Sequence, residues 1–245
     1  MEIRVGGPGQ IPTSVAVTMR TPGHDFELAV GFLFTEGLIE GRDAIASVAY
    51  CDLPSEEQHY NVVTVRLRTP FALGTRERHF FATSSCGVCG KASLDQVELT
   101  CPALGPGPVV AASTVMGMPD RLRQEQRIFE QTGGLHAAGL FDPDGNLVAM
   151  REDIGRHNAV DKLVGSGMLE GPVPFHELVL MVSGRISFEI VQKAAMAGLH
   201  IVCAVSAPSS LAVDAAARLG QTVVGFVRGH GLNVYSHPGR IDVDR

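Results

Sequence analysis

Leu178-Val-Leu-Met-Val182, Ile201-Val-Cys-Ala-Val205 and Val223-Val-Gly-Phe-Val227 are three short apolar runs, and Ser187 to Ala197 and Ser210 to Leu219 fill the gaps with helical spacing. Strand and helix alternating at this interval make βαβ units, with parallel strands joined by right-handed crossovers. Upstream, Leu135 to Phe141 and Leu147 to Met150 flank Asp142-Pro-Asp-Gly145, a hairpin signal, and a helix is expected from Arg156 to about Val164. The second half therefore reads as an α/β unit.

The first half has a different rhythm. Ile3 to Val5 and Ser14 to Met19 read as strands around Gly6-Gly-Pro-Gly9, and Pro22-Gly23 breaks the chain. Asp25 is placed to cap a helix from Phe26 to about Phe34, whose apolar residues run nearly all round it, so deep burial is expected. Val62 to Arg68 and His79 to Thr83 read as further strands, and Cys101 to Pro108 as a loop. A helix follows with Pro119 at its first position, Met118, Leu122 and Phe129 on one face, and Gly133-Gly134 as its stop. The expected organisation is an N-terminal β-rich α+β domain over 1–115, a connecting helix over 116–134, and an α/β domain over 135–245.

Composition narrows the function. The 245 residues are 45% hydrophobic and 19% charged, which fits a globular chain and excludes a disordered or collagenous one. The net charge is −6, and the 20 Lys and Arg form no basic block, which argues against a nucleic-acid-binding role. No apolar run reaches the roughly 18 residues that span a bilayer, so no membrane partner is expected. Met1-Glu-Ile-Arg-Val5 lacks the order of a signal peptide, and the expectation is a cytoplasmic protein. Five scattered cysteines, an odd number, read as reduced thiols rather than a disulfide framework.

Ser84-Ser-Cys-Gly-Val-Cys-Gly-Lys91 is the segment richest in chemistry. Cys86 and Cys89 can share a metal, form a disulfide, or pass sulfur between them. Lys91 favours thiolate, and Gly87 and Gly90 let the backbone bend tightly. A closed zinc site needs four ligands, and the chain has no second Cys-x-x-Cys, although two chains together would supply four. A thioredoxin-like role would need a βαβ setting that this half lacks. Sulfur relay through a cysteine persulfide is the third chemistry.

With these segments read, the chain resembles the formate dehydrogenase accessory sulfurtransferases, the FdhD proteins. The resemblance rests on Thr21-Pro-Gly-His-Asp-Phe-Glu-Leu-Ala-Val-Gly-Phe-Leu-Phe-Thr-Glu-Gly37, Ser84 to Lys91 and Thr132-Gly-Gly-Leu-His-Ala-Ala138. It continues in Arg151-Glu-Asp-Ile-Gly-Arg-His-Asn-Ala-Val-Asp-Lys162, Ser183-Gly-Arg-Ile-Ser-Phe-Glu189 and Val224-Gly-Phe-Val-Arg228. Family members usually carry more residues before the first strand pair. The resemblance implies a cytidine-deaminase-like α/β sandwich for the second half. It also implies a sulfurtransferase that takes persulfide sulfur from a cysteine desulfurase and delivers it to a molybdenum (or tungsten) bis-molybdopterin guanine dinucleotide cofactor. That delivery activates the catalytic subunit of formate dehydrogenase. Cys86 and Cys89 match the family's two cysteines, and Phe226, Val227, Arg228, Gly229, His230 and Gly231 match its guanine-nucleotide segment, for which GDP is the expected analogue. A homodimer is implied as well.

The deaminase chemistry is not expected to accompany the fold. A zinc deaminase needs His-x-Glu and Pro-Cys-x-x-Cys at two helix starts. The corresponding positions read His157-Asn158-Ala159 and Ser183-Gly184-Arg185-Ile186-Ser187, so no metal ligands are assigned. Ser183, Gly184 and Arg185 close a strand and open a helix, a setting that suits a phosphate, and Ser206-Ala-Pro-Ser209 repeats it. Ordinary βα turns use the same residue types. In Arg151 to Lys162 the expected buried stripe is Ile154, Val160, Leu163 and Val164. Arg156, His157, Asp161 and Lys162 are left as a solvated, internally paired face or as one turned to cofactor or subunit. His136 reads as a core histidine and Cys203 as a small core residue. Two further functions fit the same residues: a non-catalytic chaperone for the cofactor or apo-enzyme, and a zinc-stabilised nucleotide-binding module.

Overall fold

A computed structural model of the chain describes residues 1–51, 60–72, 101, 103–171 and 175–244. Cys86, Cys89, Lys91 and the strand expected at His79 to Thr83 lie outside the described residues. Within them the fold is mixed α/β.

The first sheet contains β1 (Glu2–Gly6), β2 (Thr13–Val17), β3 (Ile45–Tyr50) and β4 (Val62–Leu67) in the order β2-β1-β4-β3. β1 and β4 run parallel, and the other two pairings are antiparallel. Ile3 and Val5 on β1 and Val63, Val65 and Leu67 on β4 alternate inward, as a half-buried sheet requires. β3 was not anticipated, because Ile45-Ala-Ser-Val-Ala-Tyr50 is mostly small residues without a clear alternation. Helix α1 (Asp25–Thr35) is buried almost throughout, as its all-round apolar sequence requires. Asp25 does not cap it. The capping position falls on His24, in the left-handed region at φ 58°, and Asp25 is the first helical residue. Its carboxylate instead accepts from Arg20 Nη2 at 2.8 Å and Tyr50 Oη at 3.2 Å, fixing the chain before the helix.

After the two-residue strand β5 (Val110–Ala111) come α2 (Ala112–Glu125) and α3 (Arg127–Thr132). Helix α2 begins seven residues before Pro119, which sits inside it. A proline there removes one helical donor and crowds the carbonyl four residues back, and the helix bears that cost while Val115, Met118 and Leu122 are buried on one face.

The larger sheet has six strands: β6 (His136–Phe141), β7 (Leu147–Asp153), β8 (Val179–Val182), β9 (Ile201–Ala204), β10 (Thr222–Arg228) and β11 (Gly231–Ser236), in the order β11-β10-β9-β8-β6-β7. β8, β9 and β10 are parallel, linked by α5 (Phe188–Met196) and α6 (Ser210–Leu219), and hairpins add β7 and β11 at the edges. A short β12 (Ile241–Asp242) pairs with β5. Alternate residues of the sheet serve two cores. Ala138, Leu140, Leu180, Val182, Val202, Ala204 and Val223 face α5, α6 and the long α4 (Arg156–Glu170). Ala137, Phe141, Val179, Met181, Ile201, Cys203 and Val224 face α2. Cys203 is thus a core residue, and burial pushes its thiol pKa up.

Helix α1 from the first half packs directly on α4 from the second. A Cβ at Gly31 would stand 1.8 Å from the Asp161 carbonyl oxygen, and one at Gly165 would stand 1.9 Å from that of Glu27. The two backbones therefore touch, and only hydrogen fits between them. Around this contact the polar face of α4 is buried, not solvated: Asp161 is 2% exposed and Lys162 1%. Lys193 Nζ lies 2.9 Å from Asp161 Oδ1 and 3.0 Å from Glu36 Oε1, while Thr35 Oγ1 donates to Asp161 at 2.7 Å. Burial alone would lower the Lys193 pKa, but Asp161 and Glu36 outweigh it and raise it. At the other end Lys162 Nζ meets Asp153 Oδ2 at 2.7 Å and the Thr21 carbonyl at 2.9 Å, and Arg151 grips Glu27 with two nitrogens at 2.5 and 2.9 Å. Ile154, assigned to the buried stripe, is instead 51% exposed, because it sits in the turn before α4.

The helix contact gives a direct test. Gly31→Ala should lower stability in urea by about 2 kcal/mol or more, because separating two backbones outweighs the gain in helix propensity. Gly117→Ala in α2, where a Cβ meets nothing within 4 Å, should instead raise it by up to about 1 kcal/mol. Equal effects at the two positions would contradict the close contact.

Candidate functional site

The carboxyl ends of β8, β9 and β10 run into Ser183-Gly-Arg185, Ser206-Ala-Pro-Ser209 and Phe226-Val-Arg228. Backbone bonds stitch these ends into one ledge. Ile186 N–H donates to Ala207 O at 3.3 Å, Ser209 N–H to Ile186 O at 2.9 Å, and Phe226 N–H to Ser206 O at 3.2 Å. Gly225 permits the last of these, since a Cβ there would lie 2.8 Å from Pro208 Cδ. Open α/β sheets bind ligands beyond such strand ends.

A bulge in β10 shapes the outer part of the ledge. Gly225 pairs with Asn233 and Arg228 with Gly231, so β10 has one residue more than β11 across this interval. The extra residue is absorbed at Phe226, whose φ is 52°. Because of it Val227 faces the same core as Val224, and Phe226 and Arg228 both stand outward. Phe226 is 40% exposed. Gly229 and His230 form the turn into β11, a strand that the sequence reading did not anticipate. Val227 therefore serves the core with its side chain, while Phe226, Arg228, His230 and Gly231 lie together on and beside the turn.

At the inner end, Ser183 Oγ accepts from Ala137 N–H at 2.8 Å and so holds β8 to β6. Gly184 is packed under two side chains: its Cβ would stand 3.2 Å from His136 Nδ1 and 3.6 Å from Arg156 Cδ. His136 is therefore a half-buried ledge residue and not a core one. Burial, followed by the charges of Arg156 and Arg185, pushes its imidazole pKa down. Arg185 itself is exposed. Ser209 caps α6 by accepting from Ala212 N–H at 3.2 Å, whereas Ser187 makes no capping bond to α5. The Ser187 hydroxyl instead lies 2.9 Å from His157 Nε2. Thus the segments His157 to Ala159 and Ser183 to Ser187, which lack the deaminase residues, do meet, and they form a neutral hydrogen bond. Among the described residues no three His, Cys, Asp or Glu side chains gather where a metal could be held.

Sequence reasoning assigned Ser183, Gly184, Arg185 and Phe226 to Gly231, and the structure sets them along one ledge. It did not assign Arg156, His136 or His157. The proximity of the α4 start to the β8 end is a tertiary fact, and its only trace in the sequence is the cluster of basic residues in Gly155-Arg-His157. Cys86 and Cys89 lie outside the described residues.

The FdhD/NarQ family model matches residues 3–242. The chain is 51% identical over 245 residues to the sulfur carrier protein FdhD of Nocardia farcinica, covering 98% of this chain and 85% of that one. It is 44% identical to the protein of the same name from Sulfurisphaera tokodaii, covering 92% and 84%. A crystal structure of a formate dehydrogenase accessory protein from Desulfotalea psychrophila superposes with a TM-score of 0.73 at 24% identity over 99% of this chain and 89% of the other, which establishes a shared fold.

His157 yields a pH test. Burial, then Lys193 and Arg156, push its imidazole pKa from 6.5 down to about 3. Between those values the unfolded chain binds a proton that the folded chain refuses. The contribution of His157 is therefore intact above pH 6.5 and lost as the pH falls, by up to about 1.4 kcal/mol per pH unit. In urea titrations His157→Gln should shrink the drop in stability between pH 7 and pH 5, and the wild-type imidazole should stay neutral by NMR at pH 5. An imidazole titrating near 6.5 would overturn this.

Proposed function

The chain belongs to the FdhD/NarQ family, and from that membership we propose that it is a sulfur carrier that serves formate dehydrogenase. One observation carries the reading: near-full-length identity of about half to a relative named as a sulfur carrier protein. The sequence adds the reagent. The Cys86 thiolate attacks the outer sulfur of a cysteine desulfurase persulfide, the donor leaves as thiolate, and Cys86 keeps the sulfur. Attack by the Cys89 thiolate on the Cys86 sulfur then releases the outer sulfur as sulfide and leaves a Cys86–Cys89 disulfide, which a thiol reductant reopens. The acceptor, as substrate, is the metal of a bis-molybdopterin guanine dinucleotide.

The ledge supports a docking place for the guanine end of that substrate. Phe226 offers an exposed ring for a base, and Arg228 beside it makes no ion pair among the described residues and can fork onto a phosphate. In this reading the sulfur chemistry belongs to residues 1–115 and nucleotide binding to a cytidine-deaminase-like unit over 135–245, with residues 116–134 connecting them. A homodimer would let one chain's cysteine pair serve the other's ledge. Binding at the nucleotide then orients the metal end for sulfur transfer. Among the described residues no helix is long and apolar enough to cross a membrane.

Two variants test this division. Arg228→Ala should load persulfide at Cys86 normally but bind GDP about ten-fold more weakly, the loss expected for one charged hydrogen-bonding contact. Cys86→Ala should bind GDP normally, carry no persulfide and fail to activate formate dehydrogenase, and Cys89→Ala should also fail to activate it. Adenine nucleotides should bind far more weakly than GDP. Loss of both activities in either Cys86→Ala or Arg228→Ala, or zinc-dependent folding lost in a cysteine variant, would refute the proposal.

A further inference from the structure

Arg156, Arg185 and His136 form a cluster of basic side chains around Gly184, on three different elements. Arg156 is the first residue of α4, Arg185 follows β8, and His136 opens β6. Arg156 Nε is buried and has no hydrogen-bond partner, and neither arginine makes an ion pair among the described residues. The neighbouring carboxylates form no ion pair with them, although the Glu189 charge acts on Arg156. Asp153 is committed to Lys162 Nζ, Thr21 N–H, Gly155 N–H and Asn158 Nδ2. Glu189 lies 3.9 Å from His157 Nε2, outside hydrogen-bonding reach, and its Oε2 is itself without a partner. Arg151 is fully paired with Glu27, and Arg20, whose Nε is also unsatisfied, at least has the Asp25 carboxylate on Nη2; Arg156 has neither. Leaving one guanidinium N–H unsatisfied beside a second cation costs stability unless a ligand completes it.

We propose that Arg156, Arg185 and His136 together bind a phosphoryl group, and that this is a second anion subsite on the ledge, separate from Arg228. The chemistry selects a polyoxyanion. An arginine fork matches two phosphate oxygens, and a second cation and an imidazole N–H add donors from other directions. Helices α4 and α5 both open toward this place without side-chain caps, so their first amide N–H groups add to the positive potential. Burial, Arg156 and Arg185 hold His136 toward its neutral form, with Asp153 opposing them. An arriving phosphate would reverse the net field and favour the imidazolium.

Position ties the cluster to the ligand. Gly184 lies just beyond the end of β8 and Phe226 lies in β10, so about two strand spacings, ~10 Å, separate them across β9. A guanine nucleotide whose base lies on Phe226 can extend its phosphates along the ledge to Arg156. This placement of the nucleotide rests on the function proposed above, whereas the affinity of the cluster for a phosphoryl group does not.

Calorimetry with three probes separates the two claims. Pyrophosphate should bind the full-length wild-type protein and compete with GDP. Arg156→Gln should weaken pyrophosphate and GDP at least ten-fold and leave guanosine unchanged, with partial recovery in Arg156→Lys. Arg185→Gln, an exposed change with little risk to folding, should weaken the same two probes, and pyrophosphate should raise the pKa of His136 by NMR. If pyrophosphate binds and Arg156→Gln abolishes it while GDP shows no binding to wild type, the cluster stands and the nucleotide reading fails. Absence of pyrophosphate binding, or equal affinity in wild type and both variants, overturns the proposal. An equal loss of guanosine and GDP in Arg156→Gln would mark Arg156 as structural and overturn it too.

Discussion

The contact between the backbones of α1 and α4 is the constraint on which the rest of the molecule depends. Gly31 and Gly165 let two buried helices approach until carbonyl oxygens fill the space that methyl groups would need. Such an approach brings charged groups from both halves into a largely buried layer, and each finds its partner there: Lys193 with Asp161 and Glu36, Lys162 with Asp153, Arg151 with Glu27. Removing one member of a buried pair typically costs 3–5 kcal/mol, because the other is left charged and dry. The two long motifs Thr21 to Gly37 and Arg151 to Lys162 are therefore largely the two sides of one joint. Their chemistry is directed at each other.

The joint also positions the ledge. Lys162 and Asn158 bind the chain around Met19 and Thr21, and Asp153 ties the end of β7 to Gly155, so the first turn of α4 is held at a fixed place. That place is beside the end of β8, where Arg156 and His157 face Gly184 and Ser187. At the other end, the bulge at Phe226 turns an aromatic ring and Arg228 outward without disturbing the core beneath. Rigid elements thus present donors at both ends of one ledge, as binding of an extended anionic ligand requires.

Much of this was legible in the residues. The βαβ rhythm of Leu178 to Val227 gave strands and helices to within a residue or two, because parallel strands buried on both faces are short continuous apolar runs. The all-round apolar α1 announced its burial in the same way. Other features depend on partners that a linear pattern does not contain. Asp161 and Lys162 look solvated on a helical wheel, and only the arrival of Lys193 and Asp153 makes their burial tolerable. By alternation Val227 would share the face of Val223, and a one-residue bulge turns it instead to the side of Val224. Arg156 belonged to an ambiguous polar face until the fold placed it over Gly184. Ser183, Gly184 and Arg185 were recognised because a strand-to-helix turn carries its own signal, although Ser183 uses its hydroxyl to hold β6.

Native-state hydrogen exchange tests the joint most directly. If α1 and α4 are locked by backbone contact and buried charge, amides of Ala29 to Leu33 and of Val160 to Val164 should exchange with one common free energy, equal to that of β8 and β9. The free energies should also fall together with rising denaturant. If the α1 amides instead open at much lower free energy while α4 and the six-stranded sheet stay protected, the two halves are only resting on each other, and the account of a single joint is wrong.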